Sequence, residues 1–279
     1  MSGRRGYVDP NFPPPGGKND APVIIYGYRP SLVVALLGVI LFAISTILHS
    51  WQLKKYKTRT FSALVLTGLA MEVVGYIFRL LSSRKNPYNV IYFVVQYFFI
   101  VVAPVFFSAA LYTVLSTLIT KLGRQFSYFS PRLILMTFIG VDVLCTALQM
   151  AGAALIGKAQ TDRKDPTSAN NILLAGLAIQ VASFFVFLVL MALFLLRARR
   201  QIGEKGVPGR VSKGFLISFI VATLLIYLRT VFRLAETAEG IYGALSSHEV
   251  YFGCLEFAPV VIAVYLLTFW HPGRCIAGM

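Results

Sequence analysis

Charge is what this chain has least of. Asp, Glu, Lys and Arg make up 13% of its 279 residues, against about 25% in a soluble globular domain, so most of its surface is not built to face water. Cysteine is scarce as well: Cys145, Cys254 and Cys275 are too few and too widely spaced to suggest a disulfide pair or a cysteine metal site. The histidines His49, His248 and His271 are scattered, whereas a zinc hydrolase needs clustered His and Asp ligands. No metal, no cofactor and no catalytic residue is therefore expected, and the chain does not read as an enzyme. No GxxxxGK[ST] run occurs, so direct ATP-driven pumping has no support. The last apolar run, Val250–Trp270, holds no lysine, which excludes a retinal Schiff base there. Residues 1–30 are polar and rich in proline and glycine, with Pro13, Pro14, Pro15, Gly16 and Gly17 in a row, and lack the apolar core of a cleavable signal peptide.

What the chain has in abundance is apolar sequence: 57% of its residues, with a mean hydropathy of +0.72. These residues form long unbroken runs. A helix needs about 20 mostly apolar residues to cross the hydrocarbon core, and seven segments qualify: Leu32–His49, Phe61–Leu81, Ile91–Leu118, Leu133–Gly157, Ile172–Leu196, Phe215–Leu234 and Val250–Trp270. Continuous rather than alternating runs exclude a β-barrel. The expected fold is all-α, a polytopic seven-helix transmembrane bundle over residues 31–272, after a disordered extracellular tail (1–30) and before a short cytoplasmic tail (273–279). Pro104 and Pro259 should kink the third and seventh spans. Gly68, Gly75, Gly152 and Gly176 should let helices approach closely.

Net charge is +15, which could suggest nucleic acid. The basic residues lie almost entirely in short connectors, though, and read as anchors at anionic headgroups. Fourteen Lys and Arg fall on the side of the first, third and fifth connectors and the C-terminus, against nine on the other side. That imbalance favours an N-terminus outside and a C-terminus in the cytoplasm.

Ionisable residues inside the spans cost about 2.5–3.5 kcal/mol each near mid-helix, so their presence requires a reason. Glu72 and Arg79 lie in the second span, Asp142 in the fourth, Arg229 and Arg233 in the sixth and Glu256 in the seventh; Glu236 and Glu249 flank the sixth connector. The spacing of Arg229, Arg233 and Glu236 puts them on one helix face. At a rise of about 1.5 Å per residue, Glu72 lies about 16 Å into its span and Asp142 at a similar depth. Gln149 and Gln180 add polar groups to spans four and five. Ion pairing that locks helices together is the bland explanation for any one of these residues. The set as a whole suits recognition of a polar or charged headgroup, with Glu72, Arg79, Asp142, Gln149, Gln180, Arg229, Arg233, Glu236, Glu249 and Glu256 as candidate substrate-binding residues. His49, at a span end, reads as an interfacial residue.

Several linked motifs narrow the reading. Tyr26-Gly27-Tyr28-Arg29-Pro30-Ser31 precedes the first span, and Glu72-x-x-Gly75-Tyr76-x-x-Arg79 occupies the second. Then come Ala103-Pro104 with Ala109-x-x-Tyr112, Asp142 with Gln149, Arg229-x-x-Phe232-Arg233-x-x-Glu236, His248-Glu249 and His271-Pro272-Gly273. From Tyr26 to Gly273 the chain resembles the fungal lipid-translocating exporter family, the RTA-like proteins of the aminocholesterol-resistance type. The resemblance implies a seven-span protein of the plasma membrane or internal membranes that exports or flips sphingoid long-chain bases or gives tolerance to toxic amphiphiles. In one branch of the family it implies porphyrin or haem handling. Its partners would be membrane lipids and an amphiphilic small molecule. A seven-span receptor or sensor for lipids is the alternative. The third span ends Ser116-Thr117-Leu118-Ile119 without an acidic-Arg pair, and the seventh has no Asn-Pro, so a receptor would be of unfamiliar type.

Overall fold

The computed structural model describes residues 7–9, 12, 13, 15–161, 165–203, 211–240 and 243–276. Seven helices among them are long and apolar enough to span a membrane: α1 (Leu32–Tyr56), α2 (Arg59–Arg84), α3 (Val90–Leu122), α4 (Pro131–Thr161), α5 (Thr167–Gly203), α6 (Lys213–Glu239) and α7 (Glu249–Cys275). Each expected run lies inside one of these helices, and no strand occurs among the described residues beyond one bridge between Asp20 and Asn89. Side-chain caps mark where two of the helices start. The Ser31 hydroxyl accepts from Val33 N at 3.2 Å to start α1, and Asn89 Oδ1 accepts from Ile91 N and Tyr92 N to start α3. These groups occupy helix N–H donors that have no partner within the helix.

Burial is inverted relative to a soluble protein. On α1, Val33, Leu36, Ile40, Ile44 and Ile47 form an exposed apolar stripe, while Ser45, His49 and Gln52 face inward and are buried. Lipid takes the apolar side, and the polar side finds partners within the bundle. Helices adjacent in sequence pack as neighbours, and α1 meets α7 to close the ring. α3 also touches α5 and α6, so it stands as a central post. Close approach depends on glycine where two backbones nearly meet. A Cβ on Gly152 of α4 would lie 2.8 Å from the backbone nitrogen of Leu173 in α5, and one on Gly75 of α2 would lie 2.6 Å from Ile100 Cγ1 in α3.

The two prolines act differently. α3 runs unbroken through Pro104, but the ring removes the N–H that would bond the carbonyl of Ile100, four residues earlier. At Pro259 the helix changes its hydrogen-bond ladder instead: α7 opens with Glu249–Tyr251, becomes π-helical over Phe252–Phe257 and resumes as α-helix over Ala258–Phe269. Pro259 then falls in the first turn of that segment, where a missing N–H costs least.

A disordered segment before α1 is what its composition suggests, yet residues 15–31 are packed against the loop between α2 and α3. Ala21 N donates to Tyr88 O at 2.9 Å and Val90 N to Asn19 O at 3.0 Å. Ile24, Tyr26 and Tyr88 form a small buried cluster of their own. The Tyr26 hydroxyl donates to Gln96 Oε1 at 2.5 Å and lies 3.1 Å from Ser82 Oγ. Burial pushes the Tyr26 phenol up to about 12 and raises that of Tyr28 as well, so both act as neutral hydrogen-bonding groups.

Candidate functional site

The candidate residues resolve into two clusters. The larger joins α2, α6 and α7 around Arg229. Its guanidinium donates to Glu256 Oε1 through Nε at 2.9 Å and Nη2 at 2.5 Å, and Nη2 also donates to the Ile100 carbonyl at 3.0 Å. That carbonyl is the one Pro104 leaves without a helix donor. Glu256 reaches Arg229 from within the π-helical stretch. One helical turn on, Arg233 Nη1 donates to Glu236 Oε2 at 2.7 Å, and its Nε lies 4.0 Å from Glu256 Oε2. The Arg233 guanidinium also covers the Tyr97 ring at 4.9 Å.

Arg79 completes this cluster toward the N-terminal segment. Its Nη2 donates to Glu249 Oε1 at 2.7 Å and to the Tyr28 hydroxyl at 3.1 Å, and its guanidinium sits 3.9 Å above the Phe252 ring. Both Glu249 oxygens accept from Ser31 N, at 2.8 and 2.9 Å. One carboxylate thereby joins the start of α1, the end of α2 and the start of α7. The three span arginines are thus all ion-paired, as an uncompensated charge in this setting costs several kcal/mol.

Glu72 is the exception. It is 1% exposed and lies in the fields of Arg229 and Glu256, yet it makes no hydrogen bond or ion pair among the described residues. Three arginines face four carboxylates here: Glu72, Glu236, Glu249 and Glu256. The carboxylate left over is Glu72.

The smaller cluster lies between α3, α4 and α5. The Tyr112 hydroxyl donates to Asp142 Oδ2 at 2.8 Å, while Asp142 Oδ1 is buried and accepts nothing by geometry. Gln180 acts on Asp142 from α5, and its Oε1 accepts from Gln149 Nε2 at 2.8 Å. Phe138, Phe184 and Phe187 enclose the Tyr112 ring. Asp142, Gln149 and Gln180 thus belong together, apart from the arginines.

Tyr28, Tyr112, Tyr97 and the Ile100 carbonyl were not among the candidates. Tyr28 and Tyr112 stand in the quoted motifs, and Pro104 marks Ile100 as a carbonyl in need of a donor, so three of the four had a signal. His49 corrects an expectation: it is fully buried rather than interfacial, bonded through Nε2 to Thr268 Oγ1 at 3.0 Å, with its ring centroid 5.8 Å from that of His271. Among the described residues no group of three or more His, Cys, Asp or Glu could hold a metal ion.

A family model described as RTA1 like protein matches residues 65–279. The chain belongs to the RTA1-like family. This RTA1-like chain is 30% identical, over 90% of its length and 74% of the relative's, to the sphingoid long-chain base transporter RSB1 of Saccharomyces cerevisiae. It is 29% identical, over 93% of its length and 53% of the relative's, to the lipid-translocating exporter-like protein RTA1 of Leptosphaeria maculans. It is 27% identical, over 88% of its length and 91% of the relative's, to protoporphyrin uptake protein 1 of Saccharomyces cerevisiae. No solved structure matches it.

Proposed function

We propose that this RTA1-like protein translocates an amphiphilic lipid with a cationic headgroup, a sphingoid long-chain base by class, and that Glu72 and Asp142, each in its own cluster, are two separate stations for the ammonium. One observation carries the reading: the buried cluster has one carboxylate more than it has arginines, and the unmatched one, Glu72, lacks any hydrogen bond among the described residues. A buried carboxyl is either neutral or paired, and a lipid ammonium would supply the pair while its tail lies among apolar side chains. The names of the RSB1 and RTA1 relatives point the same way. A porphyrin carries two propionates, and all three arginines of the cluster are already paired, so no free guanidinium is left to receive them.

Arg229, Arg233, Arg79, Glu236, Glu249 and Glu256 then hold the helices around Glu72, and Gln149 and Gln180 hold Asp142. A plasma-membrane location with the N-terminus outside would open the larger cluster toward the outer leaflet.

Glu72→Gln and Asp142→Asn keep side-chain shape and remove charge. In cells carrying either variant, surface expression should be normal and resistance to an added long-chain base should fall. Normal expression with undiminished resistance in both would make these carboxylates structural and end the proposal.

A further inference from the structure

A second polar site lies where α3 ends and α4 begins, away from both clusters. A cavity of about 500 Å³ is lined there by Ser116, Thr120, Arg124, Ser130, Pro131 and Arg132. Two arginines and three hydroxyl-bearing residues line it, and no carboxylate does so among the described residues. Neither Arg124 nor Arg132 makes an ion pair among the described residues. The sequence ensures this locally, since no acidic residue occurs between Glu72 and Asp142. α4 also begins at Pro131, so the first-turn N–H of Arg132 has no preceding helical carbonyl to receive it.

We infer that this cavity binds the phosphate of an anionic membrane lipid. Guanidinium groups match phosphate oxygens in a bidentate fork, and the Ser116 and Ser130 hydroxyls can donate to the oxygens that remain, that of Thr120 being committed to the Ser116 carbonyl. Basic pockets between spanning helices suit lipid headgroups of this kind.

Position favours a lipid over a soluble phosphate. In the next turns of α4, Leu133 is 52% and Met136 72% exposed, which on a spanning helix means contact with acyl chains. Tyr128 and Phe129 are exposed in the adjoining connector. The cavity therefore sits at the junction of a lipid-facing helix and a basic loop, where a headgroup enters with its tails alongside α4.

The test is native mass spectrometry of the purified full-length protein titrated separately with phosphatidic acid, phosphatidylcholine and inorganic phosphate. Phosphatidic acid should bind at least tenfold more tightly than phosphatidylcholine. The Arg124→Ala/Arg132→Ala variant should lose that preference, while Lys54→Ala/Lys55→Ala, on another loop of the same face, should keep it. Equal binding by the arginine variant would overturn the site. An equal loss in the lysine variant would do so as well, by showing a diffuse charged face. Inorganic phosphate binding as tightly as phosphatidic acid would overturn the lipid assignment. Should the double arginine variant aggregate, Arg124→Gln/Arg132→Gln keeps long polar side chains and removes only the charge, and retained preference there would equally refute the inference.

Discussion

Arg229→Met tests whether the large cluster is a set of mutually dependent groups. The substitution keeps an unbranched side chain and removes three donated hydrogen bonds, two to Glu256 and one to the Ile100 carbonyl. Stripping a buried carboxylate of its partner costs about 3–5 kcal/mol, and an unsatisfied buried carbonyl costs about 1–3 kcal/mol. Arg233, 4.0 Å from Glu256 Oε2, recovers part of the first term, so the net loss should be about 4–6 kcal/mol. In Arg229→Met/Glu256→Met the stranded charge is gone and only the carbonyl remains, so most of the loss should be restored. Adding Pro104→Ala supplies the N–H that the Ile100 carbonyl lacks, which should restore the remainder. In the wild-type background the same change should matter little, because Arg229 already satisfies that oxygen. SDS-driven unfolding of the purified protein in mixed micelles, followed by tryptophan fluorescence, measures each variant. A single variant no less stable than the double would refute the ion-pair account, and Pro104→Ala failing to help the double would refute the link between the proline and the arginine.

Gly152→Val should lower the yield of folded protein sharply, because its Cβ would lie 2.8 Å from the Leu173 backbone nitrogen, whereas Gly140→Ala, with nothing within 4 Å, should be neutral; fluorescence-detected size exclusion of the two proteins compares them. An epitope at the N-terminus should be accessible on intact cells and one at Met279 should not; the reverse pattern would overturn the proposed orientation.

The fold was legible because lipid exposure leaves a one-dimensional trace. Seven apolar runs of span length admit few other arrangements, and the charges within them had to face inward. The i, i+3 pair Arg233–Glu236 could be read from spacing, since both residues lie on α6. Glu249 could be picked out as unusual, but its partners could not: Ser31 lies 218 residues away in sequence and Arg79 lies 170 away. Distance in sequence also hid the split between the clusters. Glu72 and Asp142 lie at similar depths in their spans, but rotation about the helix axes turns one toward α6 and α7 and the other toward α3 and α5. Hydropathy carries no information about that rotation. The burial of His49 was obscured in the same way, because a polar residue near a span end faces water or protein according to a neighbour that the local sequence does not name.

The fastenings at the two ends of α1 have a mechanical consequence. At one end Glu249 holds the Ser31 amide and Arg79 together; at the other, Thr268 of α7 contacts Ser45 and His49, and its carbonyl accepts from Gln52. α1 is thus riveted to α7 at top and bottom and bound to α2 along its side. On the far flank, α4 and α5 are held by the Gly152–Leu173 approach and the Gln149–Gln180 bond. These fastenings sort the helices into two groups, with α3, which packs most heavily on α2, and α6 between them. The groups meet along α3 and α6, the seam that holds Arg229 and the carbonyl freed by Pro104.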